Sequence, residues 1–203
     1  MATQIQIRRQ YRNRMLLVLI ASAFALPLIM AWILVGNWQS DGGANHGELL
    51  RPARPIEHFA VTQPDGQALD QDYLRGRWTL VYLNDSVAGC DPSCRRNLYK
   101  MRQVRLALGR ELGRVQGLLI TADAPDGALQ EWLAAEHEGM PAGVGDARTR
   151  ASFTEAYGDS GSIQGWIYLL DPLGNLVLRY GGASDPKDML ADLKRLLKLS
   201  KIG

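Results

Sequence analysis

The chain has 203 residues, 46% of them hydrophobic and 22% charged, so it has room for one ordinary domain with a sizeable core and an appendage. The formal net charge is +2, but four of the 23 basic residues lie in residues 1–38, which contain no acidic residue. The remainder carries 19 basic and 21 acidic side chains, and this near-neutral balance argues against nucleic acid as a partner.

The first predicted element is a membrane anchor. Residues 15–36 form 22 consecutive positions without a charge, and a helix of that length reaches about 33 Å, enough for the hydrocarbon core. The arginines of residues 1–14 predict a cytoplasmic tail and an extracytoplasmic remainder. We therefore expect a single-pass protein of the bacterial inner membrane with a periplasmic C-terminal domain. A cleavable signal peptide is the alternative, because Ala23-Phe24-Ala25 fits a cleavage site, but cutting there would leave an apolar N-terminus.

Residues 37–55 are polar, rich in glycine and interrupted by proline, which predicts a linker between membrane and domain. We interpret His46 as a solvated residue of this linker. The domain is expected to cover residues 56–203.

An alternation of apolar runs and amphipathic segments follows. A short strand at 59–62 and a helical or extended piece at 68–74 precede a central strand, Trp78–Leu83, which is apolar on both faces. A helix is predicted from Pro92 to about Leu112 and a second central strand at Val115–Thr121. The later predictions are a helix, a loop, a helix, a β-hairpin and a last helix: residues 128–138, 139–145, 147–157, 166–180 and from 186 onward. This order predicts an α/β domain with the thioredoxin-like fold, a mixed central sheet flanked by helices.

The only two cysteines, Cys90 and Cys94, fall between the first central strand and the helix that follows it. Asp91 and Pro92 predict the N-cap and the first position of that helix, so Cys94 lies in its first turn, where the helix dipole favours a thiolate. The C-x-x-x-C spacing can bring both sulfurs to one side of the helix start, close enough to oxidise or to bind one soft metal ion. Cys90 and Cys94 are therefore the candidate catalytic and metal-ligating residues, and exposure outside the cap favours Cys90 as the attacking thiol.

The order of these features resembles the Sco/SenC proteins over residues 56–200. The matching segments are FAVTQPDGQALDQDYLRGRWTLVYL, GCDPSC, LLITADAPDG and IYLLDPLGNLVLRYG. The resemblance implies a membrane-anchored, thioredoxin-fold copper chaperone for cytochrome c oxidase assembly, with Cu(I) held by Cys90 and Cys94. It also implies a partner that is a respiratory oxidase subunit or another periplasmic thiol or copper protein.

The sequence departs from that family at two places. The family's cysteine motif has proline after each cysteine, whereas Asp91 and Arg95 stand there in this chain. The family's third copper ligand is a histidine just before the IYLLDP-like strand, but residues 162–166 read SIQGW. The third ligand is therefore unknown. We interpret His137, near Met140, as a surface histidine, with a substitute ligand as the alternative.

Three functions stay open on this evidence. The first is an oxidase assembly factor that acts by dithiol–disulfide exchange or Cu(I) transfer. The second is a general thiol–disulfide oxidoreductase, although such enzymes normally have C-x-x-C and a cis-proline where this chain has Gln164-Gly165. The third is a non-catalytic binding module with a structural disulfide.

Overall fold

The N-terminal part of the chain is one long helix. The structure, a computed structural model, describes residues 2–37, 45–86, 89–158, 165–200 and 202. It divides into two units, residues 1–43 and 44–203. In the first unit, α1 (Ala2–Asn37) contains a 19-residue window, Arg14–Trp32, with a mean hydropathy of 2.4. The helix is long and apolar enough to cross a membrane, as predicted. A signal sequence has the same length and composition, so retention of the anchor stays a prediction.

The second unit is built on a mixed sheet. Its described residues form eight strands: β1 (Glu48–Pro55), β2 (Val61–Thr62), β3 (Ala68–Leu69), β4 (Trp78–Asn84), β5 (Val115–Thr121), β6 (Ala142–Gly145), β7 (Ile167–Leu170) and β8 (Asn175–Tyr180). Their order across the sheet is β1-β8-β7-β4-β5-β6-β2-β3. The β4–β5 and β5–β6 pairs are parallel and the other pairs are antiparallel. This is the predicted thioredoxin-like arrangement.

Helices cover both faces of the sheet. They are α2 (Pro92–Ala107), α3 (Gly127–Glu136), α4 (Ala147–Tyr157) and α5 (Pro186–Leu199). Apolar residues of α2, α3 and α5 form one core cluster with one face of the central strands. Phe153 of α4 belongs to a second cluster with Tyr168 and the other face. Every residue of β4 and β5 is buried because both faces are covered, which explains their continuous apolar character.

Residues 48–55, predicted as linker, are an edge strand instead. β1 pairs with β8, with Glu48 opposite Arg179. The Arg179 guanidinium binds the Glu48 carboxylate at 2.8 Å and lies 4.1 Å and 4.2 Å from the ring centres of Tyr157 and Trp166. The prediction was wrong because an edge strand tolerates proline and needs little apolar surface, so its composition is that of a linker.

His46 is exposed, as expected of a solvated residue, but its backbone is held in place and is not part of a free linker. Its backbone N–H and that of Gly47 donate to the carboxylate of Asp192 at 2.9 Å each, and the Tyr180 hydroxyl donates to it at 3.1 Å. The His46 ring lies 3.4 Å from Asp188. Asp192 is 1% exposed, so a buried carboxylate of α5 holds the start of the domain in position.

Two further boundaries differ from the predictions. The segment predicted as the loop 139–145 contains β6, whose small residues fit because a Cβ at Gly143 would lie 2.5 Å from the Thr62 carbonyl oxygen. The helix predicted to reach Leu112 ends at Ala107, and a 3-10 helix over Gly109–Arg114 follows. Gly109 has φ +57°, a conformation that favours glycine and ends the α-helix.

The partly buried Tyr73 and the buried Tyr180 should make the fold less stable at high pH. Burial raises the pKa of Tyr73 to about 12 and also raises the pKa of Tyr180, which lies beside Asp192. The unfolded chain ionises its tyrosines near pH 10, whereas the folded chain keeps these neutral. Their contribution is therefore complete below about pH 10 and is lost as pH rises toward 12. In urea unfolding of the full-length protein in detergent, the free energy of unfolding should fall by about 1 kcal/mol per pH unit and per buried tyrosine.

A matched pair of variants checks this cause. Tyr73→Phe removes the Tyr73 hydroxyl, which donates to the Gly117 carbonyl at 3.3 Å, and should make the alkaline slope shallower. Tyr99→Phe changes an exposed ring and should leave the slope unchanged. Equal slopes in the wild type and Tyr73→Phe would contradict the assignment.

Candidate functional site

The site is a strand, a turn and a helix start. β4 ends at Asn84, whose side-chain amide donates to the Gly89 carbonyl at 3.0 Å and so fixes the turn. α2 begins at Pro92, and the Asp91 carboxylate accepts the backbone N–H of Cys94 at 2.7 Å. Asp91 is thus the predicted N-cap, and Cys94 lies in the first turn of the helix.

The two cysteines meet at this helix start. Cys90 and Cys94 form a disulfide, with their Cα atoms 5.2 Å apart. Cys94 is completely buried, whereas Cys90 is half-buried. An approaching thiol or disulfide therefore reaches Cys90 first.

The helix that carries Cys94 is basic throughout. α2 has five basic side chains and no acidic one: Arg95, Arg96, Lys100, Arg102 and Arg105. The Arg95 guanidinium lies 4.7 Å from the ring centre of Trp132, Lys100 donates to the Ser184 carbonyl at 3.1 Å, and Arg105 donates to the Val115 carbonyl at 3.0 Å. These three contacts hold α2 against its neighbours, Arg95 and Lys100 in the first half of the helix and Arg105 near its end, so the basic character is more than a solvated face.

His137 is buried, so its interpretation as a surface histidine was wrong. It follows α3, its backbone N–H donates to the Leu133 carbonyl at 2.8 Å, and only 4% of it is exposed. Its ring lies 4.6 Å from that of Trp132, and its Nδ1 has no hydrogen-bond partner among the described residues. Burial, assisted by Arg102, lowers the pKa of His137 and keeps its ring neutral. The polar residues around it in the sequence gave no signal of this burial.

The structure leaves the third copper ligand open. Ser162, Ile163 and Gln164 lie outside the described residues. His58 is bonded at 2.7 Å to Asp146, the N-cap of α4. In the part of the chain that the structure describes, no group of three or more His, Cys, Asp or Glu side chains could hold a metal. Binding of a metal by Cys90 and Cys94 stays a prediction.

A cavity of about 310 Å³ lies beside the turn that leads to Cys90. It is lined by residues at the carboxyl ends of β4 and β5 and in the loops that follow: Asn84, Ser86, Gly89, Thr121, Asp123, Ala124, Pro125, Asp126 and Leu129. The sequence gave Asp123 and Asp126 as helix caps. Asp126 caps α3 by accepting the Leu129 N–H at 2.7 Å, but Asp123 does not cap it. The sequence predicts β4 and β5 as neighbouring parallel strands, and a cavity beyond their carboxyl ends could have been expected from that.

Asp91 should influence two separate properties, the pKa of the neighbouring thiol and the stability of the fold. In the reduced protein, the negative charge of Asp91 disfavours the neighbouring Cys90 thiolate. Removing that charge should therefore lower the pKa of the Cys90 thiol by about half a unit to one unit. Asp91→Asn keeps a good cap and should show this shift alone. Asp91→Ala should show the shift together with a loss of about 1 kcal/mol of unfolding free energy. The pH dependence of iodoacetamide alkylation measures the first effect and urea unfolding measures the second. An unchanged alkylation profile in both variants would contradict the electrostatic role.

Comparison with known proteins agrees with this architecture. A family model described as "Transmembrane-like, thioredoxin-like, C-terminal domain" matches residues 78–200. No curated protein sequence matches the chain.

Several solved structures share the fold. Copper-bound ScoI from Bradyrhizobium japonicum is 23% identical, with a TM-score of 0.51 over 68% of this chain and 96% of that one. Copper-bound yeast Sco1 is 22% identical, with a TM-score of 0.57 over 78% and 96%. A thiol:disulfide interchange protein of the thioredoxin family from Chlorobium tepidum is 19% identical, with a TM-score of 0.56 over 71% and 97%. Likenesses at this identity establish the thioredoxin-like fold.

Proposed function

The chain belongs to the family with a transmembrane-like, thioredoxin-like C-terminal domain, and from this we propose that it is a membrane-tethered dithiol protein of the Sco/SenC type. In this proposal it assists assembly of the copper centre of cytochrome c oxidase by thiol–disulfide exchange. Its domain lies in the periplasm, and its partner is an oxidase subunit or another periplasmic thiol or copper protein.

The observation that supports exchange is the position of the cysteine pair. A half-buried Cys90 and a buried Cys94 lie at the start of a basic helix, directly after a central strand. In the reduced protein, the Cys90 thiolate attacks a partner disulfide and releases one partner thiol. Cys94 then attacks the mixed disulfide, which releases the second partner thiol and restores the Cys90–Cys94 bond. The partner gains the two electrons that the dithiol loses.

Copper enters this proposal as cargo. Thiolates are soft ligands that suit Cu(I), and two of them are a sufficient set for a linear site. Cu(II) prefers imidazole and oxygen ligands, and the described residues contain no group of three or more His, Cys, Asp or Glu side chains that could hold it. We therefore propose transfer of Cu(I) by reduced Cys90 and Cys94, in addition to exchange.

A general thiol–disulfide oxidoreductase is the second candidate. The specific observation in its favour is that the interchange protein from Chlorobium tepidum resembles this chain about as closely as yeast Sco1 does, with TM-scores of 0.56 and 0.57. Both functions use the same two cysteines, so the partner distinguishes them.

One set of measurements on the full-length protein in detergent tests the proposal. We expect a Cys90–Cys94 reduction potential above about −300 mV, the range of exchangeable disulfides, from equilibration with glutathione buffers. We also expect one equivalent of Cu(I) to bind the reduced form and no Cu(I) to bind the Cys90→Ser/Cys94→Ser protein. A potential below about −300 mV without copper binding would leave only a structural disulfide. Rapid insulin reduction would favour the general oxidoreductase.

A further inference from the structure

Four side chains form a stripe along the outer face of α2: Arg95, Tyr99, Arg102 and Leu106. They are spaced four, three and four residues apart, which places them on the same side of an α-helix. Tyr99 and Leu106 are 56% and 51% exposed. The α2 stripe begins at the residue after Cys94 and leads away from the disulfide. A molecule that reacts at Cys90 therefore has this surface beside it.

Exposed apolar side chains are few on this domain, and two of them belong to the α2 stripe. In the described part of the domain, five large apolar side chains are exposed: Tyr99, Leu106, Leu173, Leu199 and Ile202. Beside Leu106 a cavity of about 290 Å³ opens between α2 and the end of α3, and its lining includes Leu112 and Met140. The stripe therefore continues into a concave, partly apolar surface, which is the shape that holds a side chain of a bound partner.

The charge of the α2 stripe is positive. The helix has five cations and no carboxylate, and two of the cations belong to the stripe. The Arg95 guanidinium lies 4.7 Å from the ring centre of Trp132, so it is held close to the disulfide. Carboxylates flank the stripe at its two ends: Asp91 caps the helix start, and Glu136 and Glu138 line the cavity. The middle of the stripe therefore keeps a net positive charge.

We propose that the α2 stripe is the docking surface for the polypeptide whose disulfide reacts at Cys90, and that this polypeptide presents acidic and apolar side chains. The inference rests on the proposed exchange function and adds the chemistry of the partner to it. A carboxylate of the partner pairs with Arg102, and its apolar side chains pack against Tyr99 and Leu106. Charge complementarity favours an acidic partner, because like charges that face each other across an interface cost free energy.

The geometry of the helix also gives the spacing of the partner's residues. At 1.5 Å per residue, Arg102 lies about 12 Å along α2 from Cys94. An extended peptide advances about 3.3 Å per residue, so a residue about four positions from the reacting cysteine comes beside Arg102. An anionic lipid surface also suits cations beside exposed apolar side chains. The start of the stripe at the reacting cysteines favours a polypeptide instead.

Three synthetic peptides test the inference. Each begins with a cysteine linked by a disulfide to thiopyridine, and four positions later the peptides have glutamate, glutamine or lysine. Reduced full-length protein in neutral detergent attacks the disulfide through Cys90 and releases thiopyridone, whose absorbance gives the rate. Cys94 then releases the peptide thiol, so the protein dithiol loses two electrons and the peptide disulfide gains them. The rate with dithiothreitol corrects each peptide for its own reactivity.

At low salt, we expect the glutamate peptide to react about threefold faster than the glutamine peptide and the lysine peptide to react more slowly than both. Arg102→Gln should remove the preference for glutamate. Arg148→Gln removes an exposed arginine from α4, on the other face of the sheet, and should leave the preference unchanged. The rate with neutral dithiodipyridine corrects each variant for the reactivity of its cysteines.

A photo-cross-linker identifies the occupant of the α2 stripe. Cys94→Ser protein holds the peptide as an adduct through Cys90, in micelles that contain phosphatidylglycerol. With p-benzoylphenylalanine in place of Tyr99, this adduct should cross-link to the glutamate peptide in higher yield than to the lysine peptide. The same group in place of Leu173, which is exposed in the β7–β8 turn, should not cross-link to the peptide. Cross-links from position 99 to lipid or to a second copy of the chain, and none to the peptide, would overturn the polypeptide as the occupant.

The outcomes separate the inference from the function on which it rests. Equal corrected rates for the glutamate and lysine peptides, or a glutamate preference that survives Arg102→Gln, would overturn the docking surface alone. A preference that is lost in Arg102→Gln and kept in Arg148→Gln would support it. Absence of exchange with every peptide, despite reaction with dithiodipyridine, would overturn the proposed exchange function.

Discussion

Replacing Cys94 with serine should trap the protein on its partner as a mixed disulfide through Cys90. Cys90 is the accessible sulfur and Cys94 is completely buried, so attack survives the substitution, whereas release of the partner does not. We expect exchange turnover to fall by about 1000-fold or more, which is the size of rate loss found when a nucleophile is removed. The measurement is the yield of a covalent adduct with a peptide disulfide, resolved by non-reducing electrophoresis.

Cys90→Ser is the matched control for the trap. It leaves only the buried thiol, so it should lose turnover to the same extent and form no adduct. An adduct in Cys90→Ser and none in Cys94→Ser would reverse the assignment of the attacking sulfur. In cells that lack the wild-type protein, the proposed function predicts that neither variant restores the copper content of cytochrome c oxidase.

Replacing Asp192 with alanine should produce a large loss of stability. Its buried carboxylate accepts from the backbone N–H groups of His46 and Gly47 and from the Tyr180 hydroxyl. Removing it leaves three donors without their acceptor, each at a cost of about 1–3 kcal/mol, which partial hydration of the two backbone groups reduces. We expect a loss of about 3 kcal/mol, which lowers the melting temperature by about 6–12 °C for a domain of this size.

Two further variants test whether the loss comes from the hydrogen bonds that Asp192 accepts or from the removal of a negative charge on this helix. Asp192→Asn keeps one acceptor oxygen and should lose less than the alanine variant. Asp188→Ala removes the exposed carboxylate near His46 and should change stability by no more than about 0.5 kcal/mol. Urea unfolding of the full-length proteins, followed by near-ultraviolet circular dichroism, measures the free energy of unfolding of all three variants. A loss below about 1 kcal/mol in Asp192→Ala would show that water replaces the carboxylate.

The parts of the fold that the sequence predicted well have strong local signals. β4 and β5 are continuous apolar runs, and Asp91-Pro92 marks a helix start from both the capping side chain and the fixed proline backbone. The strand, turn and helix around the cysteines could therefore be predicted from the residues themselves. The disulfide follows from this local geometry, because the chain has no other thiol.

The parts that could not be predicted depend on distant partners. β1 became a strand because Arg179 and Asp192, more than 130 residues later in the chain, bind its start and the residues before it. His137 is buried beside Trp132, which its own polar surroundings do not reveal.

The edges of the sheet restrict how other proteins can bind. At one edge, β1 contains Pro52 and Pro55, which lack the N–H group needed for pairing, and the exposed Arg51 and Arg54. At the other edge, β3 is only two residues long. Neither edge offers a template for an added strand, so copies of this domain are protected from pairing edge to edge. Under the proposed function, recognition of a partner would therefore rely on side-chain contacts and not on backbone pairing.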